Sequence, residues 1–326
     1  MNYSWVDDFL ANPECYPHAV QGGHYHRNYV LRPPGGEQPV LVRQARAQVP
    51  TMDLRSLDEC TVLRFLERAN FPAPRVLYEE PSGQYMVLSY IPGRTLAELY
   101  PAGAVLPEEL VHSAASLLST IHQLDLPEEL AARALSPENF INFIEKIYLK
   151  ACLEGWDKLF EKLCFPEPGK LIPSTLRDSL CTGATNPVFV HSDLNRANLI
   201  VGNGEALVPI DWELAAVAEP AIDVSAHIHR SQYNRKQLAI FLESYVALTN
   251  FDHNLLRSRT ALYLDLEVLK SVVVDTLRVI GKLRKAGASN LMRLAARLNY
   301  ANRLWGIEGI STEQQICEQL YKFVKI

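Results

Sequence analysis

The stretch that most limits what this chain can become runs from Val188 to Asp211. Val188-Phe189-Val190 is a short apolar run, so His191 to Asn198 reads as a loop leaving a strand. Leu199 to Val201 and Ala206 to Ile210 read as two further short strands, joined by Gly202-Asn203-Gly204. Glycine and asparagine supply the positive φ that tight hairpins require, so the two strands fold back on each other. Closing that hairpin brings its open ends together, and those ends carry Asn198 and Asp211. Asp193 stands earlier in the same loop. Three oxygen-bearing side chains are therefore expected at one place.

Such a trio suits phosphoryl transfer. Mg²⁺ is a hard cation that takes oxygen ligands, a few from protein and the rest from phosphates and water. An Asn carbonyl and a carboxylate, Asn198 and Asp211, form a fitting pair, and Asp193 can accept the proton of an attacking hydroxyl. The spacing from His191 to Asp193 to Asn198, with Asp211 behind a hairpin, is the arrangement of a kinase catalytic loop. His191 reads as a brace, its imidazole bonded to backbone.

His191-Ser192-Asp193 with Asn198, then Ile210-Asp211-Trp212-Glu213, then Glu219-Pro220-Ala221-Ile222-Asp223, resembles the aminoglycoside phosphotransferase and choline kinase-like family. Trp-Glu follows Asp211 where a protein kinase would carry Phe-Gly, and no Ala-Pro-Glu segment comes after it. Both departures favour the small-molecule branch.

The resemblance implies an α+β, two-lobed, protein-kinase-like fold. Residues 1–91 would form a nucleotide-covering lobe, an antiparallel sheet with one helix. Residues 92–326 would form a larger, mainly helical lobe with the catalytic loop and the acceptor-binding helices. ATP is the implied donor, with GTP not excluded, Mg²⁺ the implied metal, and the hydroxyl of a small molecule the implied acceptor.

The same resemblance places Arg43 where the family has a strand cation, usually Lys, over the phosphates. Glu59 falls where a helical carboxylate pairs with that cation. Leu88 to Ile91 becomes the hinge, with the backbone of Ser89 and Ile91 facing an adenine, and Asp223 a buried brace for the catalytic loop. Gly22-Gly23 would form a loop over the phosphates, since glycine lets backbone amides approach an anion. Plainer readings stand beside these: an ordinary turn for Gly22-Gly23, an exposed arginine at 43, and a helix-dipole acid at 59.

Composition narrows the alternatives. A formal net charge of −5 over 326 residues lacks the positive excess of a general nucleic-acid binder. Cys15, Cys60, Cys152, Cys164, Cys181 and Cys317 are scattered without a Cys-x-x-Cys pair, which favours free thiols over disulfides or zinc. Met1 to Leu10 has two aspartates and no apolar leader core, and no apolar run reaches a membrane span; the expected location is cytoplasmic.

Along the chain, strands are expected at Arg27–Leu31, Val40–Gln44, Arg75–Tyr78 and Tyr85–Tyr90, and a helix at Ser56–Ala69. After Pro92-Gly93, helical periodicity dominates, with starts at Pro107 and Ser136 and long runs at Asn234–Thr249, Leu255–Leu283 and beyond Asn290.

His227 and His229 lie two apart on a helix and so point to different faces. His24 and His26 share a strand face without an evident third ligand. Acceptor recognition is the least legible part. Glu154, Asp157, Glu161, Asp265 and Glu267, with Trp156 and Trp212 as cation–π partners, lean towards a cationic acceptor such as an aminated sugar or amino alcohol. The basic cluster from Arg278 to Arg303 is either a solvated face or a pull towards an anionic one. Glu213 is a weak acceptor-binding candidate because it follows Asp211 so closely. A non-catalytic nucleotide-binding scaffold is the rival reading, supported by the incomplete glycine pattern and by Arg43 in place of Lys.

Overall fold

The computed structural model describes residues 3–12, 26–36, 38–46, 55–101, 103–202, 206–281, 288–307, 314–315 and 318. The chain divides into two compact units. One comprises Met1–Asp125, His191–Ala216 and Tyr233–Ser244, the other Leu126–Val190, Val217–Gln232 and Tyr245–Ile326.

The first unit is built on a four-stranded antiparallel sheet. A helix, α1 (Ser4–Ala11), precedes β1 (His26–Leu31) and β2 (Val40–Ala45); α2 (Glu59–Arg68) then leads to β3 (Val76–Glu79) and β4 (Tyr85–Ser89), in the order β1-β2-β4-β3. Residues alternate between faces along a strand, so Tyr29, Leu31, Val40, Val42, Tyr85 and Val87 share one face. Tyr3, just before α1, and Val6 and Phe9 of α1 pack there, with Phe9 edge-on to Tyr29 at 4.9 Å. This helix was not foreseen; the expected sheet with one helix gains a second that seals its outer face. The opposite face carries Arg43 and Met86, and Cys60 of α2 meets Met86 at 3.6 Å.

Helix α2 begins at Glu59, later than the expected Ser56, because Asp58 caps it by accepting from Thr61 N at 2.8 Å. The cap fixes where Glu59 faces the sheet. Beyond β4, a short strand β5 (Arg94–Thr95) pairs with β6 (Leu199–Val201), which pairs with β7 (Leu207–Pro209). Gly93 makes that approach possible: its φ is 142°, and a Cβ there would stand 2.6 Å from Ile200 Cγ2 and 2.9 Å from the Val201 carbonyl. The turn residues 203–205 lie outside the described residues, but the β6–β7 pairing, Leu199 opposite Pro209, is the expected hairpin.

The second unit is mainly helical. Pro137–Ala151 starts at a capping box between Ser136 and Asn139 with proline in the first turn. Tyr148, Phe160, Phe165 and Trp305 form an aromatic cluster with centroids 4.8–5.8 Å apart. The long helix His253–Gly281 packs against Pro220–Ser231 and Ala288–Leu304. Glu219 ties this unit together, accepting from Arg259 Nη2 and Tyr263 Oη at 2.5 Å each and from Thr185 N at 2.6 Å. Arg259 also donates to the carbonyls of Ser179, Leu180 and Thr182, which the end of helix Ser174–Cys181 leaves unsatisfied. Among the described residues no helix is long and apolar enough to cross a membrane, and Cys60, Cys152, Cys164 and Cys181 are free thiols.

Candidate active site

The loop from His191 to Asn198 is held from beneath. His191 is fully buried, bonds the Ile210 carbonyl through Nε2 at 3.1 Å, and lies 4.4 Å from the Trp212 ring. Its Nδ1 accepts the Asp193 amide at 3.3 Å, so the ring braces the loop from both nitrogens. Arg196, buried at 4% exposure, donates from Nη1 to the carbonyls of Tyr100, Pro101 and Ala104 at 2.9–3.0 Å. That anchor was missed in the sequence, where Arg196 is an unmarked loop position; burial pulls its pKa below the ordinary value.

Asp193 is half-buried, and its two carboxylate oxygens have different partners. Oδ1 accepts from Asn195 Nδ2 at 3.1 Å and Oδ2 from Asn198 Nδ2 at 3.2 Å. Both amides also donate to the Asp193 carbonyl, at 3.2 and 2.9 Å. Asn195 is fixed further, since its Oδ1 caps Ala197 N at 2.8 Å. With Nδ2 of Asn198 donating to Asp193, the oxygen of that amide faces the other way. The Asn198 carbonyl accepts from Ile210 N at 2.9 Å, which closes the hairpin's open end next to Asp211. Asp211 itself is left-handed, φ 66° and ψ 61°, a conformation that few residues other than Gly, Asn and Asp accept readily.

Arg43 gathers the carboxylates. It is 3% exposed; Nη1 donates to Glu59 Oε1 at 2.7 Å, and Nη2 donates to Asp211 Oδ1 and Glu213 Oε2 at 2.8 Å each. His26 Nδ1 lies 2.9 Å from Glu213 Oε2 and 3.2 Å from Arg43 Nη2. Burial would lower the arginine's pKa, but Glu59, Asp211 and Glu213 outweigh it and raise it further, so the guanidinium is permanently charged. Burial pushes the Glu59 carboxyl up to about 7 against the pull of Arg43. Burial and the neighbouring Asp211 likewise raise Glu213. Burial and Arg43 hold His26 down to about 4.

One guanidinium therefore faces three carboxylates, and Arg55 adds a second positive charge near Glu213 and His26. Asp211, with 32% of its side chain exposed, is the open member of the set, and with Asn198 Oδ1 it offers the hard oxygen donors that Mg²⁺ prefers. His26, Glu59 and Glu213 also offer ligand atoms within 4.8 Å of one another. Arg43 already supplies the positive charge among them, so they form an ion-pair network.

The remaining expected residues fall as follows. Gly22, Gly23 and His24 lie outside the described residues, as do Lys282, Arg284 and Lys285 of the basic cluster. Ser89 ends β4 with its amide on the Arg75 carbonyl at 2.9 Å, so a base could meet only its carbonyl; Ile91 follows, half-buried. Asp223 is fully buried in the first turn of Pro220–Ser231, in the second unit. Glu213 is 6% exposed, with its carboxylate engaged by Arg43 and His26. Trp212 is 1% exposed beneath His191 and Phe71, which removes it as a cation–π surface. Glu267 is buried in an ion pair with Lys270, Asp265 accepts from Tyr300 Oη at 2.7 Å, and Arg297 pairs with Asp275. His227 meets Ser231, and His229 meets Ser271 at 2.9 Å.

The sequence matches the Phosphotransferase enzyme family over residues 18–258. No curated protein matches the chain in sequence. Among solved structures, a choline/ethanolamine kinase family protein from Mesorhizobium loti aligns over 99% of this chain and 100% of its own, at 16% identity and a TM-score of 0.59. A macrolide 2'-phosphotransferase from Brachybacterium faecium aligns over 90% and 98%, at 16% identity and a TM-score of 0.56. An ADP-bound aminoglycoside phosphotransferase aligns over 93% and 99%, at 17% identity and a TM-score of 0.60. At these identities the likeness is one of fold, and that fold is protein-kinase-like.

Proposed function

This chain belongs to the phosphotransferase enzyme family, and we propose that it moves the γ-phosphate of ATP, with Mg²⁺, to a hydroxyl of a small molecule. The observation that carries this reading is the Asp193 carboxylate hydrogen-bonded to Asn198, whose backbone bonds Ile210 beside Asp211. Those are the groups that phosphoryl transfer needs within one loop.

In this reading Asp193 orients the acceptor hydroxyl and takes its proton at a carboxylate oxygen. Asn195 and Asn198 hold that carboxylate in place by donating to it. Asn198 Oδ1 and Asp211 would hold Mg²⁺, which when bound neutralises charge on the phosphates. Arg43, fixed by Glu59, keeps Asp211 turned towards that site and adds positive charge near the phosphates. Because the transition state of phosphoryl transfer is loose, positioning and charge do most of the work. Residues 1–91 would cover the nucleotide, with Ser89 and Ile91 at the base and Gly22-Gly23 over the phosphates. Residues 92–326 would carry the catalytic loop and the acceptor helices. The structural relatives named above are a choline/ethanolamine kinase family protein, a macrolide 2'-phosphotransferase and an aminoglycoside phosphotransferase, so the substrate search starts with amino alcohols, aminated sugars and natural-product hydroxyls.

The test is ADP release by wild type and Asp211→Ala across a panel of hydroxylated metabolites and antibiotics. Slow ATP hydrolysis alone, strong stimulation by one chemical class, and loss of both in a folded Asp211→Ala protein are expected. ATP binding without stimulation by any acceptor would turn the reading into that of a nucleotide-binding scaffold.

A further inference from the structure

Asp211 is aimed by a chain of buried groups, two of which belong to no part of the mechanism above. Arg43 Nη1 is fixed at 2.7 Å by Glu59 on α2, and Nη2 at 2.8 Å by Glu213. A planar guanidinium gripped at two nitrogens has its plane defined, and the remaining Nη2 hydrogen then points along one line, to Asp211 Oδ1 at 2.8 Å. A lysine would offer three donors on one nitrogen, with no plane for two acids to fix.

Glu213 is in turn fixed from β1. His26 Nδ1 lies 2.9 Å from the same Oε2 that accepts from Arg43, and the neutral imidazole can donate there. His26 is 7% exposed, Glu213 6% and Arg43 3%, so water competes little for these bonds. The pairs are separated by 168 to 187 residues, so the arrangement joins the outer strand of the sheet to the Asp211 turn. Oε2 of Glu213 is engaged twice, by Arg43 and by His26.

We propose that Glu213 and His26 are positioning residues for the metal-binding carboxylate of Asp211, acting through Arg43. The proposal rests on Asp211 being a metal ligand. It also accounts for Arg standing where the family more often has Lys: the wider fork comes with an extra acid to hold it and a histidine to hold the acid.

The experiment uses the full chain with ADP and Mn²⁺ as the probe, bound metal being read by electron paramagnetic resonance, alongside steady-state kinetics and thermal melts. Glu213→Gln keeps the shape but weakens the grip on Arg43. We expect Mn²⁺ affinity and kcat to fall by about 10–100-fold, the usual effect of disturbing a partner of a metal ligand, while KM for the acceptor stays near wild type. His26→Ala should do the same more mildly, and should add little on top of Glu213→Gln because both act along one path. If Glu213→Gln fails to fold, His26→Ala on the edge strand carries the test alone. Wild-type Mn²⁺ affinity in folded Glu213→Gln, or fully multiplicative effects of the two changes, would overturn the proposal. Equal Mn²⁺ binding by wild type and Asp211→Ala would instead remove the metal-ligand reading on which it rests.

Discussion

Asp193→Asn is usually taken as a clean removal of a base, and the structure says it should do more. The Asp193 carboxylate receives an amide N–H on each oxygen, from Asn195 at 3.1 Å and Asn198 at 3.2 Å. An asparagine there replaces one acceptor with an NH₂ group, so two donors face each other and one neighbour must yield. Asn195 is the better anchored, because its Oδ1 also caps Ala197 at 2.8 Å, a bond worth about 1 kcal/mol. Asn198 yields instead, either swinging away or flipping its amide, and Oδ1 leaves the position where it would meet the metal. Loss of the base lowers turnover by roughly 10²–10⁴-fold, about 3–5 kcal/mol in the barrier. The displaced Asn198 adds a loss of metal affinity of about 10-fold or more. Rapid-quench turnover at saturating MgATP reads the first effect, and calorimetric titration of metal into the ADP complex reads the second. A folded Asp193→Asn enzyme with near-wild-type turnover would refute the assignment of the base. Lost turnover with unchanged metal affinity would refute the argument that Asn198 gives way.

Arg43→Lys should lower kcat by about 10–100-fold in a protein that still folds, since one ammonium cannot span Glu59 on one side and Asp211 with Glu213 on the other; kinetics with a thermal melt checks this. Gly93→Ala should cost roughly 1–3 kcal/mol in urea unfolding, because the new Cβ meets the Val201 carbonyl in a backbone conformation that alanine resists. Burial would push the Glu219 carboxyl up, but the bonds from Arg259, Thr185 and Tyr263 outweigh it and hold its pKa below the ordinary value. Its contribution to stability is therefore present above the unfolded carboxylate's pKa and lost as pH falls through the lower folded value. Arg259→Met should remove about 3–5 kcal/mol at neutral pH by leaving a buried carboxylate without its cation. It should also flatten or reverse that acid dependence, which melts between about pH 3 and 7 would show.

Local features carried much of the fold. Apolar periodicity and turn chemistry gave the strands β1 to β4, the β6–β7 hairpin and the long helices, because each depends on residues within a turn or two of chain. The meeting of the three candidate residues was legible for the same reason: Asp193 and Asn198 lie in one loop, and a two-strand hairpin returns Asp211 to them. Helix starts were less legible, as at α2, where Asp58 rather than Ser56 provides the cap and shifts the first turn. α1 went unread because its apolar positions, Val6 and Phe9, gain meaning only against the sheet they cover.

The network around Arg43 could be decided by tertiary structure alone. Sequence resemblance offered Arg43 and Glu59 as partners, but nothing local marks His26 and Glu213 as members, since they meet across 187 residues. Burial sets the surroundings of those residues: it turns a strand arginine into a fork held by Glu59 and Glu213, and Trp212 into packing beneath His191. Charge type and spacing are written in the chain. How far each charge is removed from water, and which carboxylate shares which guanidinium nitrogen, is set only when distant strands, a helix and a turn close on one another.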